Sequence, residues 1–184
     1  MTMITWIILG IIGLFLIWLW ATYNGLITLK NRTNEAWSDI DVQLKRRYDL
    51  IPNLMETVKG YAAQEKEVFT KVTEARAKAM QAQGLGDKSK AENMLSETLK
   101  SLFAVTENYP DLKSSQNFLD LQTQLTDTED KIQAARRFYN ANVRDLNTKI
   151  EQFPTNMIAG MVGASKREFF QALSEEKEPV KVQF

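Results

Sequence analysis

The first 22 residues form the most apolar part of the chain. Residues 3–21 read MITWIILGIIGLFLIWLWA, and no charged side chain precedes Lys30. As an α-helix this run would rise about 28 Å, close to the thickness of the hydrocarbon core of a bilayer. Aromatic rings that prefer the headgroup level lie at its two ends, namely Trp6 at the start and Trp18, Trp20 and Tyr23 at the finish. We therefore predict a single-pass transmembrane anchor over residues 1–22.

A cleaved signal peptide is the alternative explanation of this run. Signal peptides begin with positive charge and end at a small-residue cleavage site, and residues 1–22 have neither feature. Positive charge instead follows the run, at Lys30, Arg32 and residues 45–47. The positive-inside rule then places the remainder of the chain in the cytoplasm and the short N-terminus outside. We predict an uncleaved anchor with that orientation.

Beyond the anchor, apolar residues recur at alternating spacings of three and four, which is typical of helices that bury one face. The first stripe contains Trp37, Ile40, Leu44, Arg47, Ile51, Leu54, Val58, Tyr61, Glu65, Val68, Val72, Ala75 and Ala79. Its register continues through Pro52, which should kink a helix, and extends back to Tyr23. We therefore predict one long helix from Tyr23 to Gln83, continuous with the anchor and ended by Gly84 and Gly86.

Two more helices follow. A shorter apolar stripe predicts a helix over residues 87–107, in which Ser89 and Glu92 have the spacing of a capping box. A longer stripe predicts a helix over residues 111–152, and its members are Phe118, Leu121, Leu125, Thr128, Ile132, Ala135, Tyr139, Asn142, Leu146 and Ile150. No helix with one apolar face is stable alone in water, so the three should pack together. The predicted fold is all-α: the anchor continues into an elongated antiparallel helical bundle over residues 23–153.

Residues 154–184 differ in pattern from the bundle. We predict an apolar loop at 157–163, a short helix over 166–173 and an extended tail over 179–184. The apolar loop is too short to span a bilayer. Four of its residues are candidates for a contact with the membrane or with another subunit: Met157, Ile158, Met161 and Val162. The alternative is that the loop folds over one end of the bundle.

Composition excludes much familiar chemistry. The chain has 23 basic and 23 acidic residues, without cysteine or histidine. A neutral chain is a poor nucleic-acid ligand, and thiol chemistry, histidine acid–base catalysis and the usual zinc sites need the missing residues. The carboxylates at 35, 39, 41 and 49 lack the spacing of a calcium loop and are read as a solvated face. We predict no catalytic residue, no cofactor and no metal.

Polar residues interrupt both long stripes. Arg47 and Glu65 lie in the first stripe, and Asn142 lies in the second. Arg47 and Glu65 would be roughly 27 Å apart on one helix, so each needs a partner elsewhere. All three are candidates for setting register or assembly, unless their side chains simply reach water.

A second polar group shares one helix face: Asn140, Arg144 and Asn147. This face could bind a partner protein or an anionic group. The alternative is that it forms hydrogen bonds within the bundle itself.

Several segments resemble one known family. They are residues 23–32 (YNGLITLKNR), 35–54 (EAWSDIDVQLKRRYDLIPNL), 58–62 (VKGYA) and 135–140 (ARRFYN), with Phe153-Pro154 and Phe169-Phe170. Together they are similar to the LemA family of bacterial membrane proteins. The resemblance implies one N-terminal membrane helix in the cytoplasmic membrane, a cytoplasmic helical bundle and no catalytic residues. It also implies an association with membrane invagination, envelope maintenance and membrane proteases.

Three functions follow as hypotheses. The first is a non-enzymatic membrane scaffold that self-assembles and shapes or maintains the membrane, with the lipid bilayer and copies of itself as partners. The second is an adaptor or regulator of another membrane protein, such as a protease or a sensor. The third is an enzyme built on a carboxylate-held metal, which the composition disfavours.

Overall fold

A computed structural model describes residues 3–170 of the chain. Within these residues every regular element is an α-helix, in the order α1 (Met3–Lys59), α2 (Lys66–Gln81), α3 (Leu85–Thr106), α4 (Pro110–Lys113), α5 (Gln116–Glu151) and α6 (Asn156–Ala159). The predicted all-α class is confirmed, with a long apolar N-terminal helix followed by a helical bundle.

The described residues form two compact units. Unit 1 contains residues 3–38 and 138–167, and unit 2 contains residues 39–137 and 168–170. Helices α1 and α5 each contribute residues to both units.

Helix α1 begins as an uncovered apolar rod. No side chain between Met3 and Ala21 is buried within the described chain, and the first buried residue is Thr22. The helix is long and apolar enough to cross a membrane. Transfer of large apolar side chains from water to an apolar environment lowers the free energy. A lipid environment therefore stabilises this segment. The helix then continues to Lys59 without a break, for 57 residues in all.

The prediction of one helix from Tyr23 to Gln83 is wrong, because the chain turns back after Lys59. The amides of Tyr61 and Ala62 both bond to the carbonyl of Val58, and Tyr61 is 46% exposed. Helix α2 then runs antiparallel to α1: Phe69 packs near Lys59, and Thr73 lies near Met55. The alternating spacing of three and four residues can continue from one helix of a hairpin into the other. An unbroken apolar stripe therefore does not distinguish one straight helix from two antiparallel helices.

The core of unit 2 is made by apolar residues of all three predicted stripes. Its buried apolar residues include Ile40, Leu44, Ile51, Leu54, Val58, Val72, Leu95, Leu99, Leu102, Phe118, Leu125 and Ile132. Burying each such side chain contributes about 1.5–3 kcal/mol. Helix α3 starts at Leu85 after Gly84, whose φ of 79° suits glycine. Ser89 therefore lies inside α3, and its predicted capping role is wrong.

Unit 1 is held by α1 packed against the end of α5. The ring of Trp37 meets that of Tyr139 edge-on, with centroids 5.6 Å apart. Leu26, Ala36 and Leu146 are buried around this contact.

The segment after α5 departs from its prediction. The short helix α6 covers the start of the predicted apolar loop. Residues 166–170 are not helical, so the predicted helix over 166–173 is wrong at those five positions. Residues 171–173 and the tail at 179–184 lie outside the described residues.

Candidate functional site

Helix α1 buries a charged side chain, that of Arg47, which is 1% exposed. Its Nη2 donates to Glu92 of α3, and its Nη1 donates to Ser96 Oγ at 2.9 Å and to Glu129 Oε2 of α5 at 2.5 Å. Arg47 therefore joins three helices of unit 2. These residues, together with Tyr48 and Lys88, are called the Arg47 cluster below.

Tyr48 and Lys88 complete the cluster around the fully buried Glu92. The phenol of Tyr48 donates to Glu92 Oε1. Lys88 Nζ lies 3.9 Å from the same oxygen and 5.4 Å from the centre of the Tyr48 ring. Burial first, and then the hydrogen bond to Glu92, raise the pKa of Tyr48 well above its usual range. Tyr48 therefore stays a neutral donor.

Charge in the cluster is balanced. Arg47 and Lys88 face Glu92 and Glu129, two positive charges against two negative. A buried ion pair adds little net stability, because desolvation offsets the attraction, but removing one partner is costly. The arrangement therefore suits fixing the register of α1, α3 and α5. Among residues 3–170, no group of three or more acidic residues is arranged to hold a metal ion.

A cavity of about 360 Å³ opens beside the cluster, between α3 and α5. Leu99 and Leu125 contribute apolar surface, and the exposed Lys100 and Asp130 contribute opposite charges. Its size and mixed lining would accommodate a side chain of another protein.

Glu65 lies in the turn between α1 and α2, not in a helical stripe. It accepts a hydrogen bond of 3.0 Å from the hydroxyl of Tyr109, which also accepts one of 2.6 Å from Gln64 Nε2. These bonds join two turns of unit 2. Asn142 is buried and donates to the carbonyl of Phe138 at 2.9 Å, a bond within α5. Of the three predicted register residues, Arg47 is the one whose hydrogen bonds link helices.

The polar face at the end of α5 is partly used by the chain itself. Asn147 donates to the carbonyl of Arg167 and accepts from its amide, both at 2.9 Å. Arg167 also donates to Asn34 Oδ1 at 3.1 Å. Arg144 is exposed beside Asp145, and Asn140 is half-buried. Asn147 therefore anchors the segment after α6.

The apolar loop carries exposed side chains. Met157 is 70% and Met161 85% exposed, and the preceding Phe153 is 80% exposed. Ile158 and Val162 are half-buried. On the anchor, Trp6, Trp20 and Tyr23 are exposed, and Trp18 is half-buried with its ring 5.7 Å from that of Phe15.

Sequence reasoning found Arg47 but not its partners. Glu92 and Ser96 stand on the buried face of α3 next to Leu95 and Leu99. A carboxylate in the middle of an apolar stripe was the available signal, and the capping-box interpretation concealed it.

Comparison with known proteins agrees with these features. The family model named LemA family matches residues 36–184. Protein LemA of Metamycoplasma hominis is 31% identical over 169 residues, covering 90% of this chain and 76% of that protein.

Two further relatives are magnetosome proteins. Magnetosome protein MamQ 2 of Paramagnetospirillum magneticum is 28% identical over 175 residues, covering 81% of this chain. Magnetosome protein MamQ of Magnetospirillum gryphiswaldense is 26% identical over 174 residues, covering 80%. The chain spans 64% of the length of each of these two relatives. With the apolar start of α1, these matches indicate a membrane-associated helical protein, with one candidate span among residues 3–170. The chain belongs to the LemA family.

Proposed function

We propose that this chain is a non-enzymatic helical scaffold, anchored in the bacterial inner membrane with its packed part in the cytoplasm. It self-assembles there and shapes or maintains the membrane. The observation that carries the proposal is the continuity of α1, which passes from a bilayer-length apolar segment into a packed helix with no intervening loop.

Continuity matters because a helix transmits orientation. In unit 1, residues 22–38 of α1 contact α5 through the Trp37–Tyr139 ring pair and contact the segment after α6 through the Arg167–Asn34 hydrogen bond. The tilt of the anchor is thus tied to a folded surface. When such surfaces associate side by side, the contact angle between copies sets the angle between their anchors, and repeated contacts can impose curvature.

Exposed apolar side chains supply candidate contacts between copies. Val42 of α1 is 60% exposed, and Phe138 of α5 is 55% exposed. Two relatives are named magnetosome proteins. These relatives support membrane association of this chain, whereas the proposed self-assembly rests on the exposed apolar side chains.

A second candidate function is that of an adaptor for another membrane protein. The cavity beside Arg47 favours it, because Leu99, Leu125 and the two nearby charges could hold a partner's side chain. We prefer the scaffold because it depends on the continuity of α1, which ties the tilt of the anchor to the packed surface. An adaptor does not require that continuity.

The scaffold and the adaptor predict different masses for the protein extracted from the membrane. The full chain is extracted gently from membranes and its mass is measured by light scattering corrected for detergent. A large, uniform assembly supports the scaffold, and a monomer contradicts it. A single cysteine at Val42, oxidised in the membrane before extraction, can join neighbouring copies in pairs, so a disulfide-linked dimer records the contact even if the assembly is lost in detergent. The native chain, which has no cysteine, is the matched control.

A further inference from the structure

We propose that the loop of residues 153–162, here the interfacial loop, inserts Phe153, Met157 and Met161 into the headgroup region of an anionic leaflet. This is the leaflet on the side where α1 leaves the apolar run and enters the packed part of unit 1. The inference rests on the proposed membrane anchoring of α1, but not on self-assembly.

The first argument is the register between α1 and α5 in unit 1. Trp37 contacts Tyr139, and seven residues earlier on α1 Lys30 lies beside Leu146, seven residues later on α5. The helices are therefore antiparallel and in step. Continuing this register by seven residues, two of them beyond the end of α5 at Glu151, would place Phe153 close to the level of Tyr23. Tyr23 stands directly after the apolar run, where the hydrocarbon of the membrane should end.

The second argument is the way in which the interfacial loop is folded. Thr155 and Ala159 are buried, so one side of the loop packs within the protein. Phe153, Met157 and Met161 are each at least 70% exposed on the remaining surface. Three large apolar side chains within nine residues are unusual on a surface bathed by water. At the level of Tyr23, they would add to the apolar surface that the exposed start of α1 presents to lipid.

The third argument is charge. The packed part of unit 1, residues 22–38 and 138–167, has three acidic residues: Glu35, Asp145 and Glu151. It has six basic residues: Lys30, Arg32, Arg144, Lys149, Lys166 and Arg167. Because the whole chain is neutral, the rest carries an acidic excess of three. Positive charge is thus concentrated in the unit that contains the anchor, and anionic lipid headgroups attract such clusters.

The experiment uses the full chain with a polarity-sensitive fluorophore on a single cysteine at position 157. The protein is reconstituted in vesicles of phosphatidylcholine, with or without phosphatidylglycerol. Thr148→Cys is the matched control, an exposed position of α5 in the same unit but farther from the anchor. Trp18→Cys reports whether the anchor itself has entered the bilayer.

We expect the label at 157 to shift to the blue and to be quenched by shallow lipid-borne quenchers, more strongly with phosphatidylglycerol. The label at 148 should stay accessible to aqueous iodide. Equal iodide quenching at 157 and 148, with the label at 18 in lipid, overturns the inference and leaves the anchoring intact. A label at 18 that stays in water overturns both. A blue shift at 157 that depends on protein density, without lipid quenching, overturns the inference in favour of a second copy.

Discussion

Arg76 Nε donates a hydrogen bond of 2.9 Å to the carbonyl oxygen of Tyr48. In a regular helix that carbonyl would accept from the backbone amide of residue 52, but Pro52 has no amide hydrogen. Helix α2 thus supplies from outside the donor that the proline removes from α1. This bond explains how α1 accommodates Pro52 in its interior, and it also fixes α2 along α1.

This relationship predicts coupling between positions 52 and 76. Arg76→Ala should lower the free energy of unfolding by about 1–3 kcal/mol, because a shielded carbonyl loses its donor. In a Pro52→Ala background the backbone amide is restored, so the same substitution should cost clearly less. Thermal unfolding of the four variants, followed by circular dichroism, measures the coupling. Strictly additive effects would contradict this account of the bond.

The Arg47 cluster predicts that a double substitution is milder than a single one. Glu92→Leu alone should destabilise unit 2 by about 3–5 kcal/mol, because it leaves Arg47 and Lys88 with too little negative charge. Adding Arg47→Met should recover most of that loss, since Glu129 is 27% exposed and can turn to water. Urea unfolding of both variants tests this. A single substitution as stable as the native chain would show that the cluster does not fix register.

Tyr48 predicts a change of stability at high pH. Its pKa in the folded protein lies well above the unfolded value of about 10. The favourable effect is therefore complete below pH 10 and is lost as the pH rises above it, because only the unfolded phenol ionises there. Tyr48→Phe should remove this part of the pH dependence and lower stability near neutral pH by about 1–3 kcal/mol. Unfolding measured from pH 8 to 11 compares the two proteins, and parallel curves would argue against a raised pKa.

The proposed orientation, with the packed part in the cytoplasm, predicts which sites an impermeant maleimide can reach. The chain has no cysteine, so an introduced one reports alone. Lys90 is exposed, whereas Lys88 belongs to the Arg47 cluster, so Lys90→Cys is the less disruptive choice. In intact bacteria Lys90→Cys should resist labelling until the membrane is permeabilised, and Thr2→Cys should react at once. The reverse result would place the folded part outside.

Asn147 should control the order of the segment that follows α6. Its side chain makes both an accepting and a donating bond with the backbone of Arg167. Asn147→Ala removes both, and Asn147→Asp keeps only the accepting oxygen. We expect hydrogen exchange at residues 163–167 to speed up in Asn147→Ala and less so in Asn147→Asp. Unchanged exchange in both variants would mean that other contacts hold the segment.

Sequence spacing predicted most of the helical residues of α1, α2, α3 and α5 and most of their buried faces, because the apolar face of a helix shows in the local period. It failed at the turn of residues 60–65, where Ala62 is buried and Tyr61 is exposed although the stripe counts Tyr61 as inside. It also could not pair Arg47 with Glu92 or Glu129, which are 45 and 82 residues away along the chain. Such pairs depend on which helices pack together and in what register. The spacing of apolar residues along each helix does not contain that information.

Because α1 is unbroken, the number of residues between its anchor and its packed part fixes both the distance and the rotation between them. Trp37 lies fourteen residues after Tyr23, so the depth proposed for Phe153 in the headgroup region is set by a count of residues along one helix. One residue inserted between them would turn Trp18 and Trp20 by about 100° and lift the packed surface by about 1.5 Å. Insertions in this stretch should therefore be tolerated far less than insertions of equal length in the turns of the bundle.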